Sequence, residues 1–75
     1  MSAGRVTLTI EYTDEGDGGL HRAVATVPGR HSIVAAELVK AQARDEGWRV
    51  VGVRSIRQVG KAELWTVTLG VRRAA

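Results

Sequence analysis

Ser32-Ile33-Val34-Ala35-Ala36-Glu37-Leu38-Val39-Lys40-Ala41-Gln42-Ala43-Arg44-Asp45-Glu46-Gly47 is the stretch that decides the fold. Within it apolar residues recur three and four positions apart, whereas on both sides of it they alternate with polar ones. The first period predicts a helix and the second predicts strands. Val34, Ala35, Leu38 and Ala41, joined by Val39 and Gln42, form the expected buried side, and Glu37, Lys40 and Arg44 fall away from it. Ser32 is the expected N-cap and Gly47 the expected left-handed residue after the last turn, so the helix should span 33–46. Asp45 and Glu46 stand where carboxylates oppose the helix dipole, at a cost of roughly 0.3–1 kcal/mol. No compensating partner for them is visible in the sequence.

Working outward toward the N-terminus, Val6, Leu8, Ile10 and Tyr12 alternate with Thr7, Thr9, Glu11 and Thr13, which predicts a half-buried strand over 6–13. Residues 14–19, all acids and glycines, read as a flexible turn. A second strand is expected over 20–27. Ala23, Ala25 and Val27 are favoured as its inward face over Leu20, Val24 and Thr26, because alanines let a helix approach a sheet closely. Pro28-Gly29 ends it.

On the other side of the helix, 48–57 alternates imperfectly: Val51 and Val53 share one parity, while Trp48, Val50 and Ile56 share the other. A bulge near Gly52 or Ser55 reconciles them, as does a strand with apolar contacts on both faces. Residues 58–62 turn the chain. The last strand then places Trp65, Val67, Leu69 and Val71 inward and Leu64, Thr66, Thr68 and Arg72 outward, and Arg73-Ala74-Ala75 reads as a frayed tail. Trp48, at the corner after Gly47, is expected to plug the core.

These patterns make residues 1–75 a single small α+β domain in ββαββ order, a four-stranded, mostly antiparallel sheet with one helix packed on one face. Its length is near the lower end of what folds without staples, and with no cysteine it has neither disulfides nor thiolate metal sites. At 44% hydrophobic and 25% charged residues it has the balance of a folded chain. No apolar run approaches the roughly 20 residues of a membrane span, so a soluble, cytoplasmic protein with no membrane partner is expected. The net charge is +3, unevenly spread. Up to Gly47 there are five basic and seven acidic residues; from Trp48 onward there are six basic residues and only Glu63 is acidic.

Two hairpins joined by a helix, with the first and last strands parallel in the centre, resemble the β-grasp topology of ubiquitin-like and protein G-like domains, and a simple meander is the alternative. The resemblance rests on element order and length. The tail lacks the Gly-Gly of ubiquitin-like conjugating proteins, so conjugation is not expected. The strand from Trp48 through Ser55-Ile56-Arg57 and the Val67-Thr68 stretch also resemble dodecins, small flavin-storing oligomers. Dodecins place one strand before the helix and this chain has two patterns there, so their flavin site is not carried over.

Catalytic chemistry finds little purchase. His21 and His31 are the only imidazoles, Ser32 and Ser55 have no adjacent base, and no Gly-x-Ser-x-Gly elbow occurs. A metal site joining a histidine to Asp17 or Glu37 is the weaker alternative to two partly exposed histidines. The Gly16-Asp17-Gly18-Gly19 run follows acids and precedes a strand, unlike a phosphate loop. No catalytic, cofactor-binding or metal-ligating residue is assigned, and no cofactor is implied.

What the pattern does define is the sheet face away from the helix. The candidate interaction surface is Thr7, Thr9, Arg22, Arg49, Arg54, Arg57, Thr66, Thr68 and Arg72, with Glu11 and Val24 on the same side. The expected role is a non-enzymatic interaction or accessory module, acting through this face or an edge strand and associating with itself or another protein. Nucleic-acid binding by the basic second half is the alternative, weakened because Tyr12, Trp48 and Trp65 all fall on the inner face or its rim, away from stacked bases. The second and third strands are expected at the two edges of the sheet.

Overall fold

The computed structural model describes residues 8–74. Its elements are β1 (Glu11–Asp17), β2 (Leu20–Pro28), α1 (Ser32–Asp45), β3 (Trp48–Gln58) and β4 (Leu64–Arg73). The α+β class and the ββαββ order are as expected, with two strands before the helix where dodecins have one. All four strands pair antiparallel in one sheet. Its order, β1-β2-β4-β3, is neither the β-grasp nor the meander. The centre belongs to β2 and β4, and the edges are β1 and β3. The expectation of β2 at an edge is therefore corrected, and that of β3 at an edge holds. The physical reason lies in β1, which from Glu11 to Asp17 is crowded with acids that a central strand leaves little room to solvate. By contrast, β2 offers Ala23, Ala25 and Val27, at 0–2% exposure, as a smooth seat for the helix.

The first strand also lies further along the chain than the alternation implied. Leu8 and Ile10 do pack against the core, as expected, but regular pairing begins only at Glu11 and continues through the acids to Asp17; Val6 and Thr7 lie outside the described residues. Two left-handed glycines, Gly18 (φ 59°) and Gly19 (φ 83°), form a two-residue hairpin turn whose twist suits the flanking strands. That turn draws the acids into the strand. Register then shifts between Asp14 and Asp17, where Gly16 (φ 70°) sits and the Asp14 carboxylate accepts its N–H at 2.7 Å.

The core joins Ala23, Ala25 and Val27 of β2, Val67, Leu69 and Val71 of β4, Trp48 of β3, and Ala35, Ala36, Val39 and Ala43 of α1. The inward faces of β2 and β4 are those expected. The helix is rolled from its expected orientation: Ala35 and Val39 are buried, but Val34 and Leu38 are 53% and 48% exposed, Ala41 is exposed, and Ala36 and Ala43 point inward instead. Small side chains let α1 settle close onto the sheet. It rests on β3, β4 and β2 and does not reach β1. The result is a plate of 35 × 35 × 16 Å.

Helix α1 begins at Ser32, with His31 at the N-cap in extended conformation and no side-chain cap bond, so Ser32 is a helical residue and not the expected cap. Gly47 holds the expected left-handed position (φ 90°), its N–H bonded to the Arg44 carbonyl at 3.0 Å. The imperfect alternation of β3 is resolved by two bulges, between Val50 and Gly52 and between Val53 and Ser55. The expected tail is corrected in part: Arg73 belongs to β4, and the Ala74 N–H bonds the Gly47 carbonyl at 3.0 Å. Among the described residues no helix is long and apolar enough to cross a membrane.

Candidate interaction surface

Cross-strand partners share a face, so the register reads the uncovered side directly. Glu11 stands beside Val24, Thr13 beside Arg22, Val24 beside Thr68, Thr26 beside Thr66, Leu20 beside Arg72. On the far side Ser55 joins Thr68, Arg57 joins Thr66, and Arg49 joins Arg72. The structure thus brings Arg22, Arg49, Arg57, Thr66, Thr68 and Arg72 onto one face. Thr9 is exposed just before β1, and Thr7 lies outside the described residues.

Two of the arginines are already engaged. Arg54, at the second bulge of β3, crosses the open face and meets Glu15 of β1 through two contacts, Nη1 to Oε2 at 2.8 Å and Nη2 to Oε1 at 2.6 Å. It passes over β4 at Gly70, where a Cβ would stand 3.2 Å from the Arg54 Nε. Glycine leaves room there for the close approach of the guanidinium, which a Cβ would crowd, with Gly52 beside it on β3. The hydrogen bond from Arg54 holds the Glu15 carboxyl below its ordinary value, and Glu15 in turn raises Arg54. Arg72 donates to the Gly18 carbonyl in the β1–β2 turn. Both side chains fasten the first hairpin to the rest of the sheet. Arg22, Arg49 and Arg57 stay exposed and form no ion pair among the described residues.

The aromatics lie on the opposite side. Trp48, 7% exposed, stacks on Tyr12 at 4.4 Å between centroids with 16° between planes, meets His21 at 4.8 Å, and carries the Arg73 guanidinium 4.6 Å from its ring centre. Such a cation over an indole contributes about 0.5–1 kcal/mol near a surface. Tyr12 donates its hydroxyl to Glu46 Oε1 at 2.6 Å, and Gln42 donates to Oε2 at 2.8 Å. These bonds supply the partner that the sequence did not reveal for Glu46 and depress its carboxyl; burial, then Glu46, pushes the Tyr12 hydroxyl upward. Trp65 is half-buried and donates to the Gly29 carbonyl at 2.8 Å.

Of the two histidine rings, only that of His21 is held by a hydrogen bond among the described residues. His21 bonds the Gly19 carbonyl through Nδ1 at 2.9 Å, with Nε2 4.0 Å from Asp14, and His31 is exposed at the helix start. Among the described residues no three of His, Cys, Asp and Glu gather as a metal site would need. Two apolar surfaces are exposed among the described residues. On α1, Ile33, Val34 and Leu38 are exposed, and a groove of about 390 Å³ separates Leu38 and Ala41 from Leu8, Val27 and Pro28. On β3, Val51 and Val53 are 59% and 40% exposed.

The Arg54–Glu15 bridge and the Tyr12–Trp48–Arg73 stack escape a reading of the sequence because their members are far apart along the chain. Gly70 was the one local signal, since glycine inside a clean strand marks a close approach. Comparison with protein-family models, curated proteins and solved structures finds no match to this chain.

Proposed function

We propose that this chain is a small non-enzymatic interaction module that works through protein–protein contact of its open sheet face or an edge strand, and that it associates with itself. The observation carrying this reading is edge strand β3, where exposed Val51 and Val53 stand among Arg49 and Arg57. Aliphatic side chains beside arginine, with an unpaired ladder, are the ingredients of a docking strand. His21 and Asp14 support the non-enzymatic part, being held by hairpin contacts. Sedimentation velocity over a hundredfold range of protein concentration tests the self-association. A mass that rises with concentration supports it, and a constant monomer mass refutes it.

Nucleic-acid binding is the second reading, favoured by Arg22, Arg49 and Arg57 sharing the open face with no ion pair among the described residues. It ranks second because that face offers no aromatic platform, the stack of Tyr12 and Trp48 lying on the helix side. Fluorescence anisotropy with labelled single- and double-stranded oligonucleotides, repeated over a salt series, tests it. Binding through phosphates weakens steeply as salt rises, and no binding at low salt removes this reading.

A further inference from the structure

The two edges of the sheet carry opposite charge. Strand β1, Glu11–Asp17, is EYTDEGD, acidic with no basic residue; β3, Trp48–Gln58, is WRVVGVRSIRQ, with Arg49, Arg54 and Arg57 and no acid. Edge strands gain from pairing, and charge decides with what. Pairing β1 with a second β1 sets acids against acids, and pairing β3 with a second β3 sets arginines against arginines. Only β1 of one copy against β3 of another brings unlike charges together.

Strand direction agrees. Each neighbouring pair in β1-β2-β4-β3 is antiparallel, so β1 and β3 run in opposite senses. A second copy set beside the first in the same order places its β1 antiparallel to the first copy's β3 and continues the alternation without a break. Its helix falls on the same side as the first helix, and among the described residues α1 packs on β3, β4 and β2 and not on β1. Following the register across the sheet, Glu11 is level with Val24, Thr68 and Ser55, so in an unsheared continuation it meets the Ser55–Gln58 run of the neighbour with Arg57 one same-face position away.

From this we infer that copies of this chain associate head to tail, the acidic β1 edge of one on the basic β3 edge of the next, extending one antiparallel sheet. This rests on the self-association proposed above and specifies its mode. The contact is heterologous, so it closes into a ring or grows openly as the sheet twist dictates. The two bulges confine regular pairing on β3 to short runs, and the Arg54–Glu15 bridge within each copy takes one charge from each edge. The association is accordingly weak, salt-dependent and concentration-dependent.

The test is charge exchange. Arg57→Glu and Glu11→Arg alter exposed side chains, and far-ultraviolet circular dichroism checks that each variant is folded. At low salt, about 0.01 M, where the Debye length is about 30 Å, sedimentation should show that each variant alone associates about tenfold more weakly than the natural chain, or worse. Mixed in equal amounts the two should recover, because each altered edge now faces its opposite. Amide exchange should slow with concentration in β1 and in residues 55–58. Association that ignores both substitutions and protects no edge amides overturns the head-to-tail mode while leaving self-association standing. A strict monomer of the natural chain at low salt overturns both.

Discussion

On the helix side of the sheet, Val67, Leu69 and Val71 meet Ala35, Val39 and Ala43 with no polar or charged residue buried among them. On the other side, Arg54 and Arg72 lie across the strands and grip the first hairpin through a carboxylate and a backbone carbonyl. The helix side is held mainly by the removal of apolar surface from water, a contribution that pH does not alter, with the Tyr12–Glu46 bond at its rim. The other side is held by charge-assisted bonds near solvent, which are sensitive to salt and pH. The helix lies over three strands, and the fourth, β1, is secured by Tyr12 against the core and by the reach of Arg54 and Arg72 across the open face.

The most severe way to probe that contrast is Leu69→Ala. Leu69 is fully buried, so its truncation should cost about 2–5 kcal/mol, read from urea unfolding as a lower midpoint. A loss below 1 kcal/mol would mean that the helix side is not the source of stability.

Acid comes next. Glu15 and Glu46 both have folded-state carboxyls held below the ordinary value of 4.5 by hydrogen bonds, from Arg54 and from Tyr12 and Gln42 respectively. The folded state therefore binds fewer protons than the unfolded state as pH falls through that value. Their contribution is complete above 4.5 and is lost as pH drops through the depressed folded values. Melting temperature should be level from pH 7 to about 5 and decline below it, and Glu15→Gln with Glu46→Gln should flatten the decline. An unchanged acid limb in that double variant would break the assignment.

A smaller effect is expected from Arg54→Met, which keeps an unbranched aliphatic stem and removes the guanidinium that lies over Gly70. Hairpin amides in β1 should exchange faster, and added salt should weaken the natural chain more than the variant. Equal salt responses would show that the bridge contributes nothing. Smallest of all is Leu38→Ser: the exposed flank of α1 should tolerate it within about 0.5 kcal/mol. A larger loss would show that this flank is covered in solution.

How far the sequence reached differs from element to element. The 64–72 alternation gave both faces of β4 residue by residue, and the parity conflict in 48–57 announced bulges that the structure places at Val50/Gly52 and Val53/Ser55. The open-face positions of Arg22, Thr66 and Thr68 followed from period two alone, whereas those of Arg49 and Arg57 depended on how the bulges of β3 resolve. The acidic stretch 14–17 was misjudged as loop because composition outweighed the Gly18-Gly19 turn signal. The roll of α1 was misjudged because its apolar residues nearly encircle it, and alanines won the buried side by permitting the closer approach.

Local periodicity determined by itself the number, type and order of the elements and the two faces of the central strands, since side-chain direction is a property of the chain's own repeat. Only the tertiary structure decided which of the first two strands lies beside β4, which side of the helix is buried, and which arginines are engaged. Those outcomes depend on groups dozens of residues apart competing for the same neighbour, and no repeat in the sequence records who wins.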